Sequence, residues 1–323
     1  VIFSTIRRDL SYSGIMNWMI SGLRWLSCCL PKQLIAEGSM SHARVRIGLT
    51  IFQLIFKKLT LSFTTLKSDF HKWTTVIFDG TTCTTPDTQS NRDKFHKSKS
   101  GRGESALPML RVVALLSAST RLILNFAYGS SKGKGTGERT LMNSLLAKLS
   151  QKNLLFLLDA GLYSFATVFA IRAKECDFLI KVSSTVKLPV ISDSRVPDGY
   201  MTRYPDGSYL SEINGKILNV EASTEQNKKW NKETIIVRVI EYQVPGFLPR
   251  RLVTSVLDPT INAKELIIHY HRRWEVEISF CEIKTHQCAT LKGQMPRRRS
   301  VSGSALFFGV SRESKIISNR SQG

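Results

Sequence analysis

Apolar residues first recur at helical spacing. From Ser11 to about Lys72 they return every three or four positions; residues 39–59 carry Ala43, Val45, Ile47, Leu49, Ile51, Phe52, Leu54, Ile55 and Phe56 with basic residues between them. This predicts a helical N-terminal region over residues 1–72, in which a DNA-binding module and a plain packing module fit equally. Residues 47–66 include Gln53, Lys57 and Lys58, so they read as an amphipathic core helix and not a membrane span. Residues 15–30 are interrupted by Asn17 and Arg24 and lead to no A-x-A-like cleavage site, which argues against a signal peptide. The chain opens on Val1, which reads as an incomplete N-terminus.

The period then changes. Thr74-Thr75-Val76-Ile77-Phe78 is a β-branched and apolar run that ends in Asp79-Gly80, a buried strand with an acid at its tip. Residues 86–105 are polar, basic and rich in Ser and Gly, and predict a loop. Residues 110–117 and 121–128 predict a hairpin. Residues 129–137 form a Gly/Ser/Lys turn whose spacing fails the P-loop pattern, with a helix from Glu138 to about Leu149. Leu154-Leu155-Phe156-Leu157-Leu158 then repeats the earlier signature, ending in Asp159-Ala160-Gly161. A helix over 164–174 and a strand over 177–182 follow. Strand–helix–strand alternation predicts an α/β core with parallel strands. Between 183 and 258 short β-like runs are broken by Pro, Gly and Asn, which predicts a mostly β insertion; helix resumes near Asn262.

Charge narrows the partner. There are 46 Lys and Arg against 25 Asp and Glu, a formal net charge of +21. Solubility rarely needs so much charge of one sign; a polyanion such as DNA or RNA explains it better. No sustained amphipathic basic helix supports a membrane surface. The six cysteines (Cys28, Cys29, Cys83, Cys176, Cys281 and Cys288) form no CxxC pair and read as reduced thiols in a cytoplasmic protein. His269, His271, His286 and Cys288 lie close in sequence, but their spacing matches no common zinc pattern.

The densest chemistry lies in the segment from Tyr270 to Lys284. Tyr270, Arg273, Glu277 and Lys284 sit at offsets of 0, 3, 7 and 14, which on a helix fall within about 60° of one another. Glu275 and Glu282 fall on a different face. Trp274 reads as a core residue, with base stacking as the functional alternative. A strand-end Asp alone is most often a turn former or N-cap. Two such acids and a helix-borne Glu in a basic chain suggest more: Asp79, Asp159 and Glu277 could hold a pair of hard divalent cations for phosphoryl transfer. Arg92, Lys94, Lys97, Lys99 and Arg102 in the polar segment are candidate phosphate partners.

These residues resemble a family, the bacterial DDE transposases of the insertion-sequence-four type. The matching segments are Asp79-Gly80-Thr81-Thr82; Glu104-Ser105-Ala106-Leu107-Pro108 with Arg111 in the following strand; and Asp159-Ala160-Gly161-Leu162-Tyr163-Ser164. The Y-x-x-R-x-x-x-E-x-x-x-x-x-x-K signature is met by Tyr270, Arg273, Glu277 and Lys284. The resemblance covers about residues 39–293. It implies a ribonuclease-H-like core with an inserted β subdomain: core over 73–183, insertion over 184–258, core again with the signature helix over 259–293. It implies Asp79, Asp159 and Glu277 as catalytic ligands for Mg2+ or Mn2+, two per active site. It further implies Tyr270, Arg273 and Lys284 as phosphate grips, a homodimer on double-stranded DNA, both element ends and target, and a nucleoid-associated, non-membrane location.

The family usually continues with further long helices. Here Arg297-Arg298-Arg299 leads into a polar stretch with no helical stripe, so 294–323 predicts a disordered tail and raises the reading of a degenerate copy after a change of frame. The competing readings are a ribonuclease-H-like nuclease without strand transfer, and a DNA-binding remnant that does not cut.

Overall fold

The structure is a computed structural model that describes residues 11–24, 39, 42–43, 46–48, 50–60, 67–100, 103–218 and 230–282. Helices α1 (Tyr12–Arg24) and α2 (Thr50–Thr60) belong to the N-terminal region. The core follows as β1 (Thr74–Thr84), α3 (Gln89–Phe95), β2 (Lys97–Ser100), β3 (Gly103–Ser117), β4 (Ile123–Ser130), α4 (Glu138–Ala147), β5 (Leu154–Leu158), α5 (Phe165–Arg172) and β6 (Asp177–Val182). Then come β7 (Tyr209–Leu218), β8 (Trp230–Tyr242), β9 (Arg250–Thr254), α6 (Ala263–His271), a 3-10 turn (Arg272–Trp274) and α7 (Glu275–Cys281).

Nine described strands make one sheet in the order β2-β3-β1-β5-β6-β9-β8-β7, with β4 also on β3. β1, β5 and β6 run parallel, while β3 lies antiparallel to β1 and β4 antiparallel to β3. The β-rich insertion joins this same sheet: β9 pairs with β6, β8 with β9 and β7 with β8, all antiparallel. Ile191 and Tyr204, from the segment between β6 and β7, form a small satellite core with Leu210 of β7.

Strand parity sorts the side chains onto two faces. Val76 and Phe78 of β1 and Leu154, Phe156 and Leu158 of β5 pack with Leu141, Met142, Leu145 and Leu146 of α4 and with Val168 and Ile171 of α5. Ile77 of β1 and Leu155 and Leu157 of β5 pack on the other face with Leu266 and Tyr270 of α6 and Val276 and Phe280 of α7. Because helices cover both faces, β5 and residues 76–78 of β1 are continuous apolar runs, as parallel strands buried on both sides must be. Side-chain caps fix two helix starts: Ser164 accepts from the Thr167 amide at 3.2 Å, and Asn262 from the Lys264 amide at 2.8 Å.

One expectation is corrected. Within 86–105, residues 89–95, 97–100 and 103–105 form helix and strand and not a loop. Thr88 caps α3, accepting from the Asn91 amide at 3.3 Å, and Phe95 and Asn91 are buried. β2 and the start of β3 then form a hairpin, Lys97 opposite Pro108. A single apolar anchor, Phe95, holds a segment that is otherwise polar. The tail at 294–323 lies outside the described residues.

Candidate active site

The register of β1 on β5 places the two aspartates. Thr74 pairs with Leu154, and the offset of 80 holds through Ile77 and Leu157. The ladder ends there; Asp159, two residues past Leu157, is near enough for its charge to act on Asp79. Both share parity with Ile77 and Leu157, so both leave the sheet on the face covered by α6 and α7. Asp79 lies within β1, where its Oδ1 accepts from the Gly80 amide at 2.8 Å. Asp159 follows the last residue of β5 and stands at the N-cap of a short 3-10 turn, Ala160–Leu162.

The C-terminal helices bring the remaining groups. Arg273 Nη2 donates to Glu277 Oε1 at 3.0 Å, and its Nη1 lies 3.7 Å from Asp79 Oδ2. The Arg273 side chain is only 12% exposed, while that of Glu277 is 59% exposed. Burial is the largest influence on Asp79 and pushes its carboxyl above the usual range; the Gly80 amide and Arg273 oppose the shift, and the negative charges of Asp159 and Glu277 add to it. Burial likewise works against the Arg273 charge, but Tyr270, Asp159, Asp79 and Glu277 together outweigh it and raise its pKa. The three acids therefore feel one another around a single guanidinium. Three carboxylates less one guanidinium leave two negative charges, in a chain whose total charge is +21.

Among the described residues, no three His, Cys, Asp or Glu side chains converge closely enough to hold a metal ion in this geometry; Arg273 stands between Asp79 and Glu277. The donor chemistry nonetheless suits a hard divalent cation. All three are carboxylates, they share one face, and their mutual repulsion is what such a cation relieves.

Other candidate residues are placed differently. Tyr270 is 6% exposed, and its hydroxyl donates to the Leu158 carbonyl at 3.0 Å. It faces the core and not the solvent. The tight turn at Arg272–Trp274 interrupts the single straight helix that the spacing predicts. Trp274 is corrected, from core to surface: it is 54% exposed, with one ring edge against His271. Arg111 shares parity with Val113 and Leu115, on the α4 face of the sheet. It donates to the Thr136 carbonyl at 3.1 Å and lies 3.9 Å from Glu138, away from the acids. Lys97 pairs with Asp87 at 2.9 Å. Its partner Pro108 lies six residues along β3 from Ala114, the partner of Asp79, a distance of about 20 Å. The Lys99 side chain, Arg102 and Lys284 lie outside the described residues. His269 is stacked on Phe70 and bonded to Thr75 at 2.8 Å; burial holds its pKa down to about 4.

Nothing in the local pattern of residues points to Arg121. It sits at the β3–β4 turn with φ of 55° and reaches Glu275 at 2.5 Å and Glu282 at 3.7 Å. This is the second face that the spacing of those two acids predicts. Their partner, 154 residues from Glu275, has no local signature.

A sheet ordered β4-β3-β1-β5-β6, three strands antiparallel and two more parallel to the first, with one acid within β1 and another just past the end of β5, defines a ribonuclease-H-like protein. The family described as the transposase DDE domain matches residues 72–303, and the chain belongs to that family. It is 22% identical over 302 residues to transposase InsG of insertion sequence element IS4 from Escherichia coli (strain K12), covering 87% of this chain and 63% of that protein. It is 26% identical over 148 residues to InsZ of the same organism, covering 45% of this chain and 48% of that one. The chain thus spans less than two thirds of the length of these curated relatives. The structure is similar, with a TM-score of 0.49 and 9% identity over 99% of this chain and 64% of the other, to piggyBac transposase in a synaptic complex with hairpin DNA. No described helix is long and apolar enough to cross a membrane.

Proposed function

We propose that this chain carries the catalytic domain of a DNA transposase, which cuts DNA at the ends of an insertion element and joins the freed ends to target DNA. The observation that supports the reading is Arg273, which lies 3.7 Å from Asp79 and donates to Glu277 at 3.0 Å on the face that Asp159 shares. Asp79, Asp159 and Glu277 are the residues that would hold Mg2+ or Mn2+, two ions per site. Such ions, when bound, activate an attacking oxygen and stabilise the leaving one.

The chain's own residues supply positioning and charge. Arg273 is a buried, permanently charged donor fixed by carboxylates on two sides, suited to orient a phosphodiester beside the acids. Lys97, Lys99, Arg102, Arg111 and Lys284 supply phosphate contacts further along the duplex, consistent with the net charge of +21. The protein acts as a homodimer on paired DNA ends, in the bacterial cytoplasm and at the nucleoid.

The test is incubation of the protein with Mg2+ or Mn2+, the DNA flanking its own coding sequence, and a supercoiled target plasmid. Joined products support transposition. Nicks without joining mark a nuclease, and salt-sensitive binding without cutting marks an inactive copy; either outcome overturns the reading.

A further inference from the structure

β5 ends at Leu158, and the next peptide unit leads the chain into the turn that carries Asp159. That unit is planar, so the direction of the Leu158 carbonyl fixes the plane of the Asp159 nitrogen and the line along which Asp159 leaves the strand. The Leu158 carbonyl accepts from the Tyr270 hydroxyl at 3.0 Å. The β5–β6 register ends at the same point, with Leu158 opposite Ile180. The Tyr270 ring is packed in the core with Val276 and Phe280. A buried strand-end carbonyl without a partner is costly; here one side chain supplies the partner at the point where the strand gives way to the site.

We propose that Tyr270 is a positioning residue for Asp159: its hydroxyl holds the Leu158–Asp159 peptide unit, and so the Asp159 carboxylate, in place. The inference rests on reading Asp159 as a metal ligand. Groups that orient a ligand from behind commonly change metal affinity or activity by 10- to 100-fold when removed. The test compares wild type, Tyr270→Phe and Asp159→Asn in the full chain. Mn2+ affinity is read by titration calorimetry, affinity for a fluorescent duplex oligonucleotide by anisotropy, and amide hydrogen exchange over residues 158–162 by mass spectrometry. Phenylalanine keeps the ring, and a melting curve verifies the fold.

The expected result is Mn2+ binding weaker by about tenfold in Tyr270→Phe, unchanged duplex affinity, and faster exchange over 158–162. Unchanged Mn2+ affinity, or a loss of duplex affinity with unchanged exchange, overturns the proposal. If wild type binds no Mn2+, or Asp159→Asn binds it equally well, the metal reading itself fails. Exchange then decides the positioning role alone, with faster exchange upholding it and unchanged exchange ending it.

Discussion

Arg273 lies 3.7 Å from Asp79, yet the aspartate still resists ionisation more than a free carboxyl does. Burial, with Asp159 and Glu277 nearby, outweighs the guanidinium. The folded pKa of Asp79 therefore stands above its unfolded value, so its contribution to stability is complete below the unfolded pKa and is lost as pH rises through the folded one. At neutral pH the charged side chain is a net burden on the metal-free fold. Asp79→Asn should therefore melt above wild type at pH 7 in chelator, with the gap closing as pH falls below the usual carboxylate range. Added Mn2+ should raise the melting temperature of wild type and leave that of the variant unchanged. A variant that melts lower in chelator contradicts this electrostatic account.

Activity should follow the same three acids. Alanine at Asp79, Asp159 or Glu277 should each lower metal-dependent cleavage by about a hundredfold or more, the scale of removing a group that stabilises the transition state. Duplex affinity should hold or rise, because each change removes a negative charge from a DNA-facing surface. Plasmid nicking and anisotropy, measured on the same preparations, separate the two effects. Wild-type cleavage by any one variant removes that residue from the site.

How much of this was legible beforehand depends on what each residue's environment writes into its neighbours. The two aspartates were legible because each follows an apolar run covered on both faces; Asp159 does stand just past the end of β5, but Asp79 lies mid-strand, because β1 continues in polar residues to Thr84. Segment 86–105 was not, because one buried aromatic, Phe95, organises it amid charges that carry no periodicity. Trp274 was misplaced for a related reason. Trp274 and Tyr270 are both large and amphipathic, and which of them is buried was decided by a tight turn at Arg272–Trp274 that helical spacing does not reveal. Arg121 was silent because its partners come from the far end of the chain.

The exposure of Trp274 has a measurable consequence. Trp274→Ala should change unfolding free energy by no more than about 0.5 kcal/mol, as surface substitutions do. Phe280→Ala, two turns on and buried against the sheet, should cost about 3–5 kcal/mol. Urea unfolding of the two variants settles the order; equal losses contradict the surface placement of Trp274.

Gly215 tests how the insertion is joined to the core. A Cβ added there would lie 2.1 Å from the Phe165 ring at the start of α5, a close approach of β7 that only glycine permits. The ring cannot yield as a flexible side-chain end would. Gly215→Ala should cost about 1–3 kcal/mol, and Phe165→Leu in the same chain should recover part of the loss. Gly80 offers the contrast: its nearest neighbours are the terminal atoms of Glu138, a half-exposed side chain able to move. Gly80→Ala should therefore cost less than Gly215→Ala in the same unfolding assay.

The start of the signature helices is set by a buried ion pair. Arg238 on β8 is fully buried; it binds Asp206, donates to the carbonyls of Asp258 and Ile261 at 3.2 and 2.7 Å, and stacks on Tyr204 at 4.0 Å. Asp206 also accepts from the Ala263 amide at 2.7 Å, in the first turn of α6. Arg238→Ala strands a largely buried carboxylate and should cost about 3–5 kcal/mol. For Asp206, burial raises the pKa, but hydrogen bonds from Ser208 and Ala263 and the charge of Arg238 overcome it and bring the pKa below the usual value. A depressed carboxyl stabilises the fold above its unfolded pKa, and that contribution is lost as pH falls through the folded one. The acid limb of a stability–pH curve should therefore be shallower in Asp206→Asn than in wild type. Because α6 leads directly into Arg273 and Glu277, the same variant should also slow cleavage at neutral pH. A variant with an unaltered acid limb would show that Asp206 is not the group that couples the insertion to these helices.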